Sequence, residues 1–481
     1  MSTVSTSLPL ARELREICGA QHVVEDPAEL SRMQVLGVAP AVAVEPASPE
    51  EVAAILRFAA ERGLNVVPAG GFTQQQNGNV PPAIDVLLSI SRLTAIEHYD
   101  PGDLTIGVGA GWTVAQLASK VAAHRLLFAC DPPLAERATI GGVLATGISG
   151  PLRHGYGGLR DYCIGVRFVT GDGRIGKGGG QVVKNVAGYD LMKLLIGSWG
   201  TLAVITSASF KLFPAPRQTR TFVAEFSTAA EALEFRSRVL RSPLDPACLE
   251  LISPEAGALL AKQDVSSPAR TPGPPTSAGF ALGGVGVRVE EPAVGPQAEE
   301  SSAPATNRKA WLILIRAAGS DAVLTRYRKE LGAAASREID GQAENDLWGV
   351  LQNFQHNVCE SRPDSALISM SLPLADVQPV LRELESVAKS HELKLAIVGR
   401  VGVGHLLASL WPAGSQASLA AAVSAFRGRL PKDGSMRVLH CPAEARNALA
   451  NLQTPTHLES MRAIKRTLDP KDILNRGRFA F

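Results

Sequence analysis

The apolar residues of this chain fall into short runs of two periods, broken by glycine, proline and small polar residues. Ala41-Val42-Ala43-Val44-Glu45 has the composition of a strand. Ser48-Pro49-Glu50-Glu51 has the form of a helix start, since Ser48 can cap, Pro49 fits the first helical position and Glu51 can complete a capping box. Val52, Ile55, Leu56 and Ala59 then share one helical face, and Gly63 ends the helix. Leu64-Asn65-Val66-Val67-Pro68 is a second strand, running into Gly70-Gly71. Short strands follow at 84–88, 95–99 and 104–108, then a helix from Val114 to about Ala123 capped by Thr113. Residues 166–169 form a strand ending at Gly171-Asp172-Gly173, and 202–212 alternates as a strand closing at Pro214-Ala215-Pro216.

The second half reads as α/β modules. Strands are expected at 221–226, 248–252, 311–315, 366–370, 395–398, 406–411 and 436–439, with helices at 229–240, up to about Lys389 and through Phe426. A tail helix covers 458–467. Residues 264–308 are rich in Pro, Ala, Gly and Ser without either period, and are expected to be a disordered insertion. The pattern predicts one domain over 1–216, a second over 217–440, and a segment over 441–481 returning to the first.

A length of 481 residues suits two or more domains. Hydrophobic residues at 45% and charged residues at 20% fit a soluble globular protein. A net charge of +2 and 5% aromatics give no sign of nucleic-acid or acidic-membrane binding. The six cysteines are scattered with no CxxC pair, which excludes a zinc ribbon or ferredoxin-type cluster motif in this sequence. They read as reduced thiols of a cytoplasmic protein, and no apolar run is long enough to predict a spanning helix.

Three glycine-centred segments carry the chemistry: Pro68-Ala69-Gly70-Gly71-Phe72-Thr73, Thr139-Ile140-Gly141-Gly142, and the stretch 178–206. A dinucleotide's pyrophosphate needs unencumbered backbone N–H groups converging on its oxygens. Each segment alone is an ordinary turn; together they predict a bound nucleotide-type cofactor. Gly71 and Gly142 are expected to leave room for that pyrophosphate. No G-x-G-x-x-G joins a first strand to a helix, which disfavours nicotinamide binding.

The order of "SPEE", "VVPAGGFT", "ATIGGVLATGISG", "FVTGDGRI" and "GSWGTLAVIT" resembles the FAD-binding domain of the vanillyl-alcohol oxidase, or PCMH-type, flavoproteins. "GGGQVVKNVAGYDLMKLLIGSWGTL" and "DPP" at 131–133 are similar to the FAD-binding E subunit of bacterial glycolate oxidase. The resemblance covers roughly 36–216 and, more loosely, "LDPKDILNRGR". It implies an α+β fold with a two-subdomain FAD-binding domain followed by a ferredoxin-like α/β cap. It places Gly70, Gly71, Phe72, Thr73 and Gln74 at the pyrophosphate, and Thr139, Gly141, Gly142 and Ala145 along the ribityl chain and ring. Ala203, Val204 and Ile205 meet the adenosine end, and Pro68, Ala69, Asp131, Pro132, Ile140 and Gly200 complete the implied cofactor contacts. The first loop has no His or Cys, so attachment is expected to be non-covalent. Position 203 is Ala where relatives usually carry Gly, and Asn475-Arg476-Gly477 replaces their Asn-Pro-Gly.

The implied function is the FAD subunit of a glycolate-oxidising complex, acting on a small 2-hydroxy acid with a sister FAD subunit and an iron-sulfur subunit. A flavin-binding assembly subunit and a self-sufficient 2-hydroxy-acid dehydrogenase are the alternatives. The complex is expected in the cytoplasm, touching membrane only through partners. Many dehydrogenases of the superfamily carry a metal-binding His-x-Gly-Asp-Gly-Asn where this chain reads Gly399-Arg400-Val401-Gly402-Val403-Gly404-His405. No metal site is therefore expected, and His405 reads as a packed histidine. Arg400 is the one candidate for catalysis, as a carboxylate clamp, against the alternative of a solvated strand end. Arg153, Arg160 and Lys184 could neutralise phosphate or be surface charge, and His154 reads as a surface residue or one behind the cofactor.

Overall fold

The computed structural model describes residues 4–181, 189–262, 310–413, 418–450 and 457–479. The expected insertion at 264–308 and residues Lys184 to Gly188 of the central glycine stretch lie outside the described residues.

Ser48 caps the helix Pro49–Arg62 by accepting from Glu51 N–H, and Gly63 closes it at φ 67°. That helix links Val42–Val44 to Val66–Ala69, which lie in one sheet with Val86–Ser89 between them, all parallel. Val23–Val24 adds an antiparallel edge. Parallel strands must be buried on both faces. Val42, Val44, Val66, Val86 and Leu88 accordingly enter the main core, while Ala43, Val67, Ala69 and Leu87 enter a smaller one on the opposite face.

Beyond it lies an antiparallel sheet in the order Ile96–Asp100, Thr105–Gly109, Ala203–Lys211, Cys163–Thr170, Ile175–Gly179. The last of these strands was not expected, because its Gly-Lys-Gly-Gly composition reads as a loop. The two sheets share one apolar core. The third sheet has eight strands among the described residues, all antiparallel. Their order is Arg337–Ile339, Gln218–Phe226, Trp311–Gly319, Cys248–Ile252, Leu393–Arg400, His405–Pro412, Ala366–Ser371, Ser435–His440. Alternation divides its residues: Phe222, Ile313 and Ile315 pack under helices on one face, while Val223, Leu312 and Leu314 face the other.

The last residues return to the first sheet. Val66 N–H donates to Ile473 O and Asn475 N–H to Val66 O, at 2.8 and 2.9 Å. Lys465, from the helix Leu458–Leu468, donates to Thr201 O, Asp469 Oδ2 and Leu474 O at 2.6–3.0 Å. A buried ammonium with three acceptors fastens this tail, since losing them would strand a desolvated charge.

Candidate functional site

The turn after strand Val66–Ala69 and the helix Ile140–Thr146 form two walls of a narrow cleft. Strand residues Ala203, Val204 and Ile205, Gly200 and the tail residues Asn475, Arg478 and Phe479 complete it. The N–H groups of Gly70 to Gln74 donate to no acceptor among the described residues. Trp199 Nε1 and Asn475 Oδ1 are buried in the wall, likewise without partners. Unsatisfied backbone and side-chain groups converging on a cleft call for a polar ligand. Phe72, Trp199 and Asn475 also hold left-handed backbone at φ 57°, 56° and 48°. Such strain gathers at binding sites, where surrounding packing enforces it.

Of the expected cofactor contacts, Pro68, Ala69, Gly70, Gly71, Phe72, Thr73, Gln74, Thr139, Gly141, Gly142, Ala145, Gly200, Ala203, Val204 and Ile205 line this cleft. Asp131, Pro132 and Ile140 lie elsewhere. Asp131 accepts from the N–H groups of Gly150 and Leu152 at 2.9 and 2.8 Å, pinning one loop to another. Pro132 O accepts from Gln352 Nε2 at 2.7 Å, and Ile140 is fully buried in the core. Residues 139–142 are not a loop. Thr139 caps the helix Ile140–Thr146 by accepting from Gly142 N–H at 3.2 Å, and Trp112 O and Ala110 O accept from Ile140 and Gly141 N–H, so this wall is a helix start whose own amides are satisfied.

The glycines also serve a different purpose from the expected one. A Cβ on Gly70 would overlap Thr139 Oγ1, and one on Gly71 would overlap the Arg137 carbonyl. A Cβ on Gly142 would meet Thr139 Oγ1 at 3.0 Å. The missing side chains of Gly70 and Gly71 let the two walls touch, whereas Gly142 only makes room for the cap on its own helix. The returning tail forms a wall of the cleft, although the sequence pattern marks residues 475–477 only as a departure. Asn475 Nδ2 donates to Trp199 O at 2.7 Å, Arg478 Nη1 to Gln75 Oε1 at 2.6 Å, and Arg478 Nη2 to Asn77 O.

The cleft opens into a chamber of about 870 Å³ beneath the eight-stranded sheet, sharing Gln74, Thr146, Trp199 and Arg478 with it. Arg153, Arg160, Arg400, Arg427, Arg437 and Arg478 line the chamber against one carboxylate, Asp161. Arg437 lies over the Trp199 ring at 5.6 Å. Arg400 and His405 are cross-strand partners at the turn between Leu393–Arg400 and His405–Pro412. Arg400 Nη1 lies 2.9 Å from His405 Nδ1. A guanidinium can only donate, so Nδ1 is the acceptor and the imidazole proton sits on Nε2, 3.1 Å from Ser369 Oγ. Burial, then Arg400 and Arg153, hold His405 well below the ordinary imidazole range. His405 is therefore a neutral orienter of Arg400. Arg153 makes no ion pair among the described residues; burial and the nearby Arg400 lower it from the usual guanidinium range. Two desolvated cations side by side favour an anion between them.

His154 packs against Gly402, where a Cβ would overlap its ring, and burial lowers it; it is not a surface residue. Among the described residues no cluster of three His, Cys, Asp or Glu could hold a metal, the six cysteines are unpaired, and no helix is long and apolar enough to cross a membrane. Trp199, Arg427, Arg437 and Ser369 were missed as site residues. Trp199 sits inside the GSWGT motif without standing out in it, and nothing local marks Arg427, Arg437 or Ser369, because the chamber draws on segments far apart in sequence.

Known proteins match both halves. The FAD binding domain family matches residues 40–178, and the family of FAD linked oxidases, C-terminal domain, matches 215–479. A D-lactate dehydrogenase of Archaeoglobus fulgidus is 40% identical over 215 residues, 45% of this chain and 48% of that protein. The chain thus aligns with about half of that relative's length. Glycolate oxidase subunit GlcD of Bacillus subtilis is 24% identical over 91% of this chain and 88% of its own. Subunit GlcE of Escherichia coli is 37% identical over 30% of this chain and 42% of its own. The fold is that of p-cresol methylhydroxylase, with TM-score 0.72 at 16% identity over 99% of this chain and 97% of that one. With an α+β PCMH-type fold, a cleft that suits a dinucleotide and a C-terminal match over more than half its length, the chain belongs to the FAD-linked oxidases, and its cofactor is FAD.

Proposed function

We propose that the chain oxidises a small 2-hydroxy acid, as the FAD-carrying subunit of a glycolate oxidase type complex. The arginine-lined chamber opening directly off the FAD cleft carries this reading. Bound FAD supplies a two-electron acceptor for the hydrogen on the carbinol carbon. The amides of Gly70 to Gln74 would hold its pyrophosphate, with the capped helix at Thr139 to Gly142 beside them. Trp199 Nε1 and Asn475 Oδ1 offer a donor and an acceptor to its polar edges. Attachment is non-covalent, since the Gly70 to Gln74 loop carries no His or Cys.

Arg400, oriented by His405, clamps the substrate carboxylate, with Arg153 as the second cation. Gln352, Gln355, Ser369, Arg400 and Arg437 of the cap at 217–440 supply the chamber roof; the cofactor domain at 1–216 and the returning tail at 441–481 supply its floor. Electrons then leave to a sister FAD subunit and an iron-sulfur subunit, because the scattered cysteines offer no cluster motif. The complex is cytoplasmic, and any membrane contact runs through partner subunits. Likeness to both GlcD and GlcE supports the complex, while the D-lactate dehydrogenase keeps lactate beside glycolate as substrate.

The test is dye-linked oxidation of glycolate and D-lactate. Arg400→Ala should lower kcat/KM about 100-fold or more, the loss of a buried charged hydrogen-bond pair, with FAD content unchanged. Activity retained within a few fold would remove Arg400 from the site. Activity absent from the native chain and present in a sister subunit would favour the assembly role.

A further inference from the structure

Arg400 has a second neighbour that substrate binding does not use. Strand Cys248–Ile252 pairs with Leu393–Arg400 so that Leu251 lies opposite Gly399, and the same register sets Glu250 beside Arg400. Glu250 Oε1 stands 3.6 Å from Arg400 Nε, with the two side chains 1% and 8% exposed. Neither atom has a hydrogen-bond partner among the described residues. A buried carboxyl this close to a guanidinium, yet unbonded to it, is a poor ion pair that a better-placed anion can replace.

We propose, resting on the reading of Arg400 as the carboxylate clamp, that Glu250 is an exchangeable counter-ion. In the pH range where it is ionised it balances Arg400, and there it takes a proton from solvent when the substrate's carboxylate occupies that guanidinium. The proton goes to a Glu250 carboxylate oxygen, and the net charge beside Arg400 is the same before and after. Glu250 is thus a residue that tunes affinity through Arg400 without touching substrate.

The surrounding groups single out Glu250 as the one that exchanges. Arg400 and Asp131 act on it directly and Cys248 lies two residues along its strand, while His405 and Arg153 lie around Arg400 and Arg316 lies opposite Cys248 on the next strand. Asp131 also senses Arg400, but two backbone N–H groups hold it as a carboxylate acceptor. Glu250 has no such donors. Burial pushes Glu250 up to about 8 and Asp131 up to about 7, while Cys248 rises well above the thiol range and His405 falls well below the imidazole range. Below about pH 8 Glu250 carries its proton and leaves Arg400 to the anion; above it, the ionised carboxylate competes.

The experiment measures binding of oxalate, which does not titrate between pH 6 and 9, to the FAD-loaded full chain. Calorimetry in buffers of different ionisation enthalpy gives the proton count. Native protein should take up most of one proton per oxalate at pH 8.5, and Kd should rise about tenfold per pH unit above about 8. Glu250→Gln should bind oxalate without proton uptake, with a flat Kd over the same range. Asp131→Asn should keep the proton uptake but move the break in Kd to lower pH, because a like charge that raises Glu250 is gone, and this guards against a merely structural effect at this crowded spot. Oxalate binding with no proton uptake by the native protein overturns the exchange and leaves the clamp standing. Uptake surviving in Glu250→Gln assigns the proton elsewhere and also overturns it. Failure of oxalate to bind at all overturns the clamp and the exchange together.

Discussion

The FAD cleft and the adjoining chamber are built in opposite ways. The cleft is made of backbone: free amides of Gly70 to Gln74, a capped helix start at Thr139, and strand residues Ala203 to Ile205. Its critical contact is one wall against the other, where Gly70 and Gly71 meet Thr139 and the Arg137 carbonyl. The chamber is made of side chains, six arginines from two short helices, a helix end, two strands and the tail. Backbone geometry suits a cofactor whose phosphates are the same in every turnover. On the proposed reading, the charged side chains of the chamber are where substrate choice is set.

That contrast can be broken by substitution. The largest effect is expected from Gly71→Val, whose branched side chain would drive the two walls apart. FAD content should fall to about a tenth of native or less, because overpacking here costs several kcal/mol of the cleft's own geometry. Absorbance of the purified variant checks it, and native flavin content would show that the walls can part without loss. Arg400→Ala should give the reverse signature, lost turnover with flavin retained. Thr139→Val should do least. It keeps the shape of the wall but removes the cap accepting from Gly142 N–H, lowering stability by about 1 kcal/mol. Thermal unfolding of the FAD-loaded protein measures this, and an unchanged midpoint would mean that the cap is dispensable.

Much of the cleft was legible because its signals are local. The cap at Ser48, the stop at Gly63 and the strand running into Gly70-Gly71 are written within thirty residues, and each appears where propensity and capping place it. Thr139 to Gly142 was read for its amides but not as a helix, since a Gly-Gly pair argues against one and only packing against Ala110 and Ile90 decides otherwise. The strand Ile175–Gly179 was hidden in the same way by its glycines. The chamber was nearly illegible. Arg400 and His405 stood out beside a glycine-rich turn, yet the partner Glu250 depends on strand register between segments about 150 residues apart in sequence. Asp131 carried a misleading signal: its "DPP" setting suggested cofactor contact, whereas its carboxylate is spent on two loop amides.

The most direct test of the central claim is anaerobic mixing of the yellow chain, alone, with excess glycolate or D-lactate while flavin absorbance is followed. The account predicts that the oxidised flavin band bleaches with the native chain and does so at least about 100-fold more slowly in Arg400→Ala, although dithionite reduces both. A native flavin that dithionite bleaches but neither hydroxy acid does would contradict it.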